Sequence, residues 1–202
     1  MRAIRFVSVS AISLLVALPL AASAHTGVDA GAHHGLVSGF LHPLTGADHL
    51  AAMVAVGLWS ALTARRAWPD LLWAPLAFAA MLLVGALVGL AGVRLPAVEP
   101  MIAASLLVLG LLVFTQRRLP ALAAAALVGV FAVFHGIAHG QELVSESGAA
   151  MTLAGMLAAT VMLHATGIAV GWALRHGHRW VPRIAGAAVA LFGLALIGGI
   201  AG

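Results

Sequence analysis

From Pro43 to the C-terminus the chain repeats one pattern, a long apolar run followed by a short polar or arginine-bearing break. Runs of about 18 residues or more are long enough to cross a bilayer. Only helices or closed barrels satisfy their backbone there, and runs of this length are helical. The composition agrees, with 63% hydrophobic and 8% charged residues against about 45–50% apolar in soluble domains. The sequence therefore predicts an all-α integral membrane protein with six transmembrane helices. The spans fall at Pro43–Ala64, Leu71–Gly92, Pro100–Thr115, Leu119–Gly140, Ala149–Leu174 and Pro182–Ala201, with Pro43 suited to a first helical turn. The second holds Gly85-x-x-x-Gly89, and a polar segment, Gln141–Gly148, precedes the fifth. Residues 42–202 form the membrane domain.

The N-terminal part reads differently. Arg2 and Arg5 precede a short apolar stretch, Phe6 to Leu20, and Ala22-Ser23-Ala24 fits a small-x-small cleavage site, so residues 1–24 read as a cleavable signal peptide. The alternative is an uncleaved first transmembrane helix, which Pro19 and the small residues disfavour. Cleavage would leave His25 as the new terminus, where its amine and imidazole together can chelate a metal. Residues 25–41 form a His/Gly-rich periplasmic segment carrying His25, His33 and His34. Gly27, Gly31, Gly35 and Gly39 recur every fourth position, giving either one smooth helical stripe or a flexible arm, since glycine costs about 1 kcal/mol in a helix.

With the N-terminus outside, the inner loops hold Arg65, Arg66, Arg117, Arg118, Arg175, Arg179 and Arg183, whereas the outer loops hold only Arg94. That asymmetry obeys the positive-inside rule. Trp59, Trp68, Trp73, Trp172 and Trp180 all fall near the same inner boundary. The expected location is the bacterial inner membrane, multi-pass, with both mature termini periplasmic. The formal charge of +4 does not make a nucleic-acid binder, because the arginines sit singly or in pairs in topogenic loops and form no patch.

Two clusters interrupt the apolar pattern. His42, Asp48 and His49 open the first span, with the histidines seven apart, about two helical turns, and so on one face. In the fourth span, His135, His139 and Glu142 follow at i, i+4 and i+7 on one face, a spacing suited to gripping one ion. Gly136 and Gly140 make a small-residue pair on the adjacent face. Both clusters lie toward the outer side. A charge at a bilayer centre costs about 2.5–3.5 kcal/mol on insertion scales, so Asp48 and Glu142 need a partner. A divalent cation would neutralise both, with neutral imidazoles completing its coordination. The chain has no cysteine, so the donors are nitrogen and oxygen. His164, deeper in the fifth span near Thr160 and Thr166, is either a second station or a packing residue. His176 and His178 read as a solvated inner loop rather than an exit station.

These residues resemble the HupE/UreJ family of nickel/cobalt permeases. The family's His-x5-Asp-His pattern is met by His42, Asp48 and His49, and its Phe-His-Gly-x-Ala-His-Gly-x-Glu pattern by Phe134 through Glu142. The resemblance covers leader, six helices and both motifs. It implies secondary uptake of Ni²⁺ or Co²⁺ as substrate, with no cofactor required and a functional link to hydrogenase or urease maturation. From the residues alone the reading stops at a divalent metal with N/O ligands. No nucleotide-binding glycine-rich loop is present. The competing expectations are an intramembrane metal-dependent hydrolase, which lacks a His-Glu-x-x-His base, and a metal-binding accessory protein. The expectation is therefore a transporter rather than an enzyme.

Overall fold

The computed structural model describes residues 35–65, 69–146 and 148–199. The expected signal peptide, His25, His33, His34, Gly27, Gly31, Arg66 and Trp68 lie outside the described residues. The described chain is wholly helical: α1 (Leu36–Thr45), α2 (Ala47–Thr63), α3 (Trp73–Leu90), α4 (Val98–Thr115), α5 (Ala121–Glu142), α6 (Ala149–Leu174) and α7 (Trp180–Ile197). Helices α3 to α7 are each long and apolar enough to cross a membrane, as in a multi-pass membrane protein. Helix α2 is apolar but shorter, at 17 residues.

The first predicted span is corrected. In place of one helix from Pro43 to Ala64, α1 and α2 meet at a break. Pro43 has no N–H to offer the Gly39 carbonyl one turn back. Gly46 then turns extended (φ −83°, ψ 111°), ending α1 and capping α2. Its N–H still reaches the His42 carbonyl at 3.4 Å, and its own carbonyl accepts from Leu50 N–H at 2.9 Å. Helix α5 also extends two residues beyond the predicted Gly140, taking Glu142 into its last turn.

The helices associate mainly as three pairs: α1 and α2 run parallel to α6, α3 runs parallel to α5, and α4 packs antiparallel to α7. Between apolar helices in lipid there is no hydrophobic gain to separate one face from another, so close backbone packing decides. The two small-residue pairs read from the sequence meet each other. A Cβ on Gly85 would overlap the Val133 carbonyl, and one on Gly136 would overlap the Leu82 carbonyl. Gly57 likewise brings α2 onto the backbone of α6 at His164.

These pairings sort the loops. Described arginines Arg65, Arg117, Arg118, Arg175, Arg179 and Arg183 gather at one end with Trp59, Trp73, Trp172 and Trp180. There Arg175 donates to the Ala64 carbonyl at the end of α2, and its guanidinium lies 4.8 Å from the Trp172 ring. Trp59 Nε1–H donates to the Arg117 carbonyl at 3.0 Å. The opposite end carries the α1–α2 break, the C-terminus of α5 and the N-terminus of α6.

Candidate metal centre

The break at Gly46 shapes the site. It places His42 at the end of α1 and starts α2 with Asp48 and His49 in its first turn, where an acidic side chain suits the helix dipole. His42 and His49 thus lie on two helices, not along one face of a single helix as the sequence predicts, yet both rings reach α5. The His42 ring is 5.0 Å from that of His139, and His49 is 4.5 Å from His139 and 4.9 Å from His135. Glu142 closes the mouth, its Oε2 at 3.3 Å from His42 Nε2 and 3.8 Å from His139 Nδ1. One donor atom each from His42, His139 and Glu142 lie within 4.8 Å of one another, a spacing that can hold a metal ion. Exposure grades inward: the side chains of His42 and Glu142 are 42% and 36% exposed, that of His139 only 1%.

Hydrogen bonding assigns the ring nitrogens. Asp48 Oδ1 accepts from His49 N–H at 2.8 Å and lies 2.9 Å from His49 Nδ1. A carboxylate only accepts, so Nδ1 carries the proton and Nε2 keeps its lone pair. That Nε2 is buried without a hydrogen-bond partner. His135 is arranged the same way by a different residue. Ser105 on α4 donates to the Ile102 carbonyl at 2.6 Å, so its oxygen accepts from His135 Nε2–H at 3.0 Å. His135 Nδ1 is then the bare nitrogen, also buried and without a partner. Neither nitrogen of His139 has a hydrogen bond. A buried polar atom left unpaired costs about 1–3 kcal/mol, and here several sit on adjoining rings. A carboxylate that fixes a histidine's tautomer is a usual outer support of metal-binding imidazoles, and the Ser105 hydroxyl takes the corresponding place beside His135.

The profile of the HupE / UreJ protein family matches residues 13–196. Protein HupE of Rhizobium leguminosarum bv. viciae is 44% identical over 187 residues, covering 91% of this chain and 94% of the relative. The chain belongs to the HupE/UreJ family. No solved structure matches it.

In this HupE/UreJ protein the family's second motif divides its labour by face. Gly136 and Gly140 pack on α3, which turns His135, His139 and Glu142 toward α1 and α2. Asp48 is held by His49, so the close donor group of His42, His139 and Glu142 contains one carboxylate rather than the expected two. His164 stands apart on α6, buried, 5.2 Å from the Phe78 ring, which itself lies 5.6 Å from His135. Thr160 and Thr166 donate to the Met156 and Met162 carbonyls of their own helix and so are not turned to His164. His176 and His178 are exposed at the arginine-rich end; Trp180 N–H donates to His178 Nδ1 at 3.4 Å. Two residues were not singled out from the sequence. Ser105 carried a signal, a hydroxyl inside an apolar span; Phe78 carried none, being one aromatic among many apolar side chains.

Proposed function

We propose that the protein is a secondary transporter that takes up divalent nickel, or cobalt, across the bacterial inner membrane. The observation that carries this reading is the convergence of His42, His139 and Glu142, backed by the bare nitrogens of His49 and His135, at the end of a bundle of apolar helices. The family membership supports it. Six membrane crossings, the first made by α1 and α2 together, put the histidine end outside and the arginine-rich end inside, in keeping with the positive-inside rule.

On this reading Glu142 and His42, at the exposed mouth, collect a hydrated cation and exchange part of its water for their own donors. The ion then passes to the dry side of the cluster, where His139 offers either nitrogen, His49 its Nε2 and His135 its Nδ1. Asp48 and Ser105 are positioning residues: they hold two of these rings in the tautomer that leaves a lone pair toward the ion. Glu142, with Asp48 held through His49, balances the double charge. His164 is the next station inward, beyond Phe78. At about 2.3 kcal/mol per charge per 100 mV, a divalent cation gains about 4.6 kcal/mol on entering a negative interior at that potential, so membrane potential suffices as the driving force.

Radiolabelled Ni²⁺ uptake into proteoliposomes tests the proposal. Uptake that is abolished in His42→Ala and His139→Ala, with helical content unchanged, is the expected result. Binding of Ni²⁺ without translocation would overturn transport and leave an accessory binding protein.

A further inference from the structure

A second polar space lies at the arginine-rich end, far from the histidine cluster. It is a cavity of about 410 Å³ between the end of α2, the start of α3 and the start of α5, lined by Ser60, Thr63, Arg65, Asp70, Arg118 and Ala124 among others. The same three helices carry His49, Phe78 and His135, so cavity and ring column share one axis. Along each helix, the lining residues nearest the histidines include Ser60, Ala74 and Ala124. One turn beyond them toward the histidines lie Val56, Phe78 and Val128, each at most 1% exposed. Four residues of helix rise about 6 Å, so this layer is about one helical turn thick. The Phe78 ring lies against the rings of both His135 and His164.

We infer that this cavity is the release vestibule of the permeation path, a hydrated compartment that takes a divalent cation leaving His164 and is sealed from the histidine column by one apolar layer at Val56, Phe78 and Val128. The inference rests on the transport reading and adds where the barrier lies and what receives the ion. The chemistry of the lining suits release rather than capture. Among its described residues there is no imidazole; the donors are hydroxyls and the Asp70 carboxylate, and the cationic Arg65 and Arg118 line it as well. Transition-metal ions prefer imidazole nitrogen to such oxygens, and the two cations repel them. The ion therefore descends from nitrogen-rich, charge-balanced surroundings into a space that holds it weakly.

The chain has no cysteine, so an introduced thiol is the only one. Ser60→Cys, Thr63→Cys and Val56→Cys are each prepared in the full-length protein and labelled with a small, membrane-impermeant cationic methanethiosulfonate, in vesicles of both orientations. The expected result is that Ser60→Cys and Thr63→Cys react from the arginine-rich side alone and Val56→Cys from neither. Adding Phe78→Ala to Ser60→Cys is expected to abolish this sidedness. Modification of Thr63→Cys with a bulky thiol reagent is expected to stop Ni²⁺ uptake, with recovery on reduction. Failure of both cysteines to react, reaction of Ser60→Cys from the histidine side with Phe78 intact, or uptake indifferent to modified Thr63→Cys would each overturn the vestibule. So would labelling of Ser60→Cys and Thr63→Cys that appears only after delipidation, which marks a lipid headgroup as the occupant. Thr63, less buried than Ser60, supplies a second variant should Ser60→Cys fail to fold. Labelling does not need transport: sidedness lost with uptake intact sinks the vestibule alone, whereas sidedness intact without uptake sinks the transport reading.

Discussion

Asp48 and Ser105 do the same job with different chemistry, and the difference is measurable. Asp48→Asn replaces an acceptor-only carboxylate with an amide that can present N–H to His49 Nδ1. The ring then has no enforced tautomer, and Ni²⁺ affinity of the purified protein, by calorimetry, is expected to fall about 10–100-fold, as for other outer partners of metal-binding histidines. Ser105→Ala removes the acceptor for His135 Nε2–H and is expected to weaken binding in the same direction, while Ser105→Thr restores it because the hydroxyl remains. A purely structural role for Ser105 would give no such rescue. The pH dependence has a definite sign. An imidazole binds metal only through an unprotonated nitrogen, so protons compete with the ion and affinity falls as pH drops from neutral to mildly acidic. Binding that stays flat over that interval would refute an imidazole-based site.

At the scale of the element, the two signature motifs are packing devices as well as carriers of the candidate ligands. Gly136 allows α5 to lie on the backbone of α3, and a methyl group there would overlap the Leu82 carbonyl. Gly136→Ala is expected to destabilise the protein by about 1–3 kcal/mol, the usual range for forced overpacking, and to lower the thermal midpoint in detergent. Gly35→Ala is the matched control, because nothing lies within 4 Å of a Cβ at that position. Gly46 acts more gently. Its backbone is not left-handed, so alanine fits there conformationally, but the new Cβ would stand 3.2 Å from Asp48 Oδ1 and 3.3 Å from His49 Nδ1. Gly46→Ala is therefore expected to fold and to bind Ni²⁺ less tightly, with the effect read in affinity rather than in stability.

Across the whole molecule, the distribution of charge would give the proposed transport its direction. The described nitrogen-rich cluster sits at one end and six described arginines at the other. A cation therefore meets ligands first and repulsion last, the order that suits inward movement under a negative interior potential. Two outcomes follow. A periplasm-active reporter fused after Gly202 is expected to be active, since an even number of crossings returns the chain to the side on which it began. In proteoliposomes, a potassium diffusion potential, negative inside, is expected to accelerate Ni²⁺ uptake, and collapsing it to slow uptake; uptake insensitive to potential would point to proton exchange instead.

The all-helical, multi-pass class, the candidate donor residues and their separation into two clusters were legible without tertiary structure. Each of these is local: a long apolar run admits only a helix in lipid, a cysteine-free chain offers no thiolate, and the His135, His139, Glu142 spacing follows from helical periodicity. Helix boundaries were legible to within a few residues except at the α1–α2 break. There an apolar run looked continuous, and only the Gly46 torsion divided it. Tertiary structure alone decided which donors converge. That His42 meets Glu142 while Asp48 turns to His49, that Ser105 on α4 orients His135, and that Phe78 separates His135 from His164 are contacts between helices. In a bundle with apolar residues on nearly every face, those contacts are chosen by where small residues let backbones approach, and the hydrophobic pattern of a single helix does not name its neighbour.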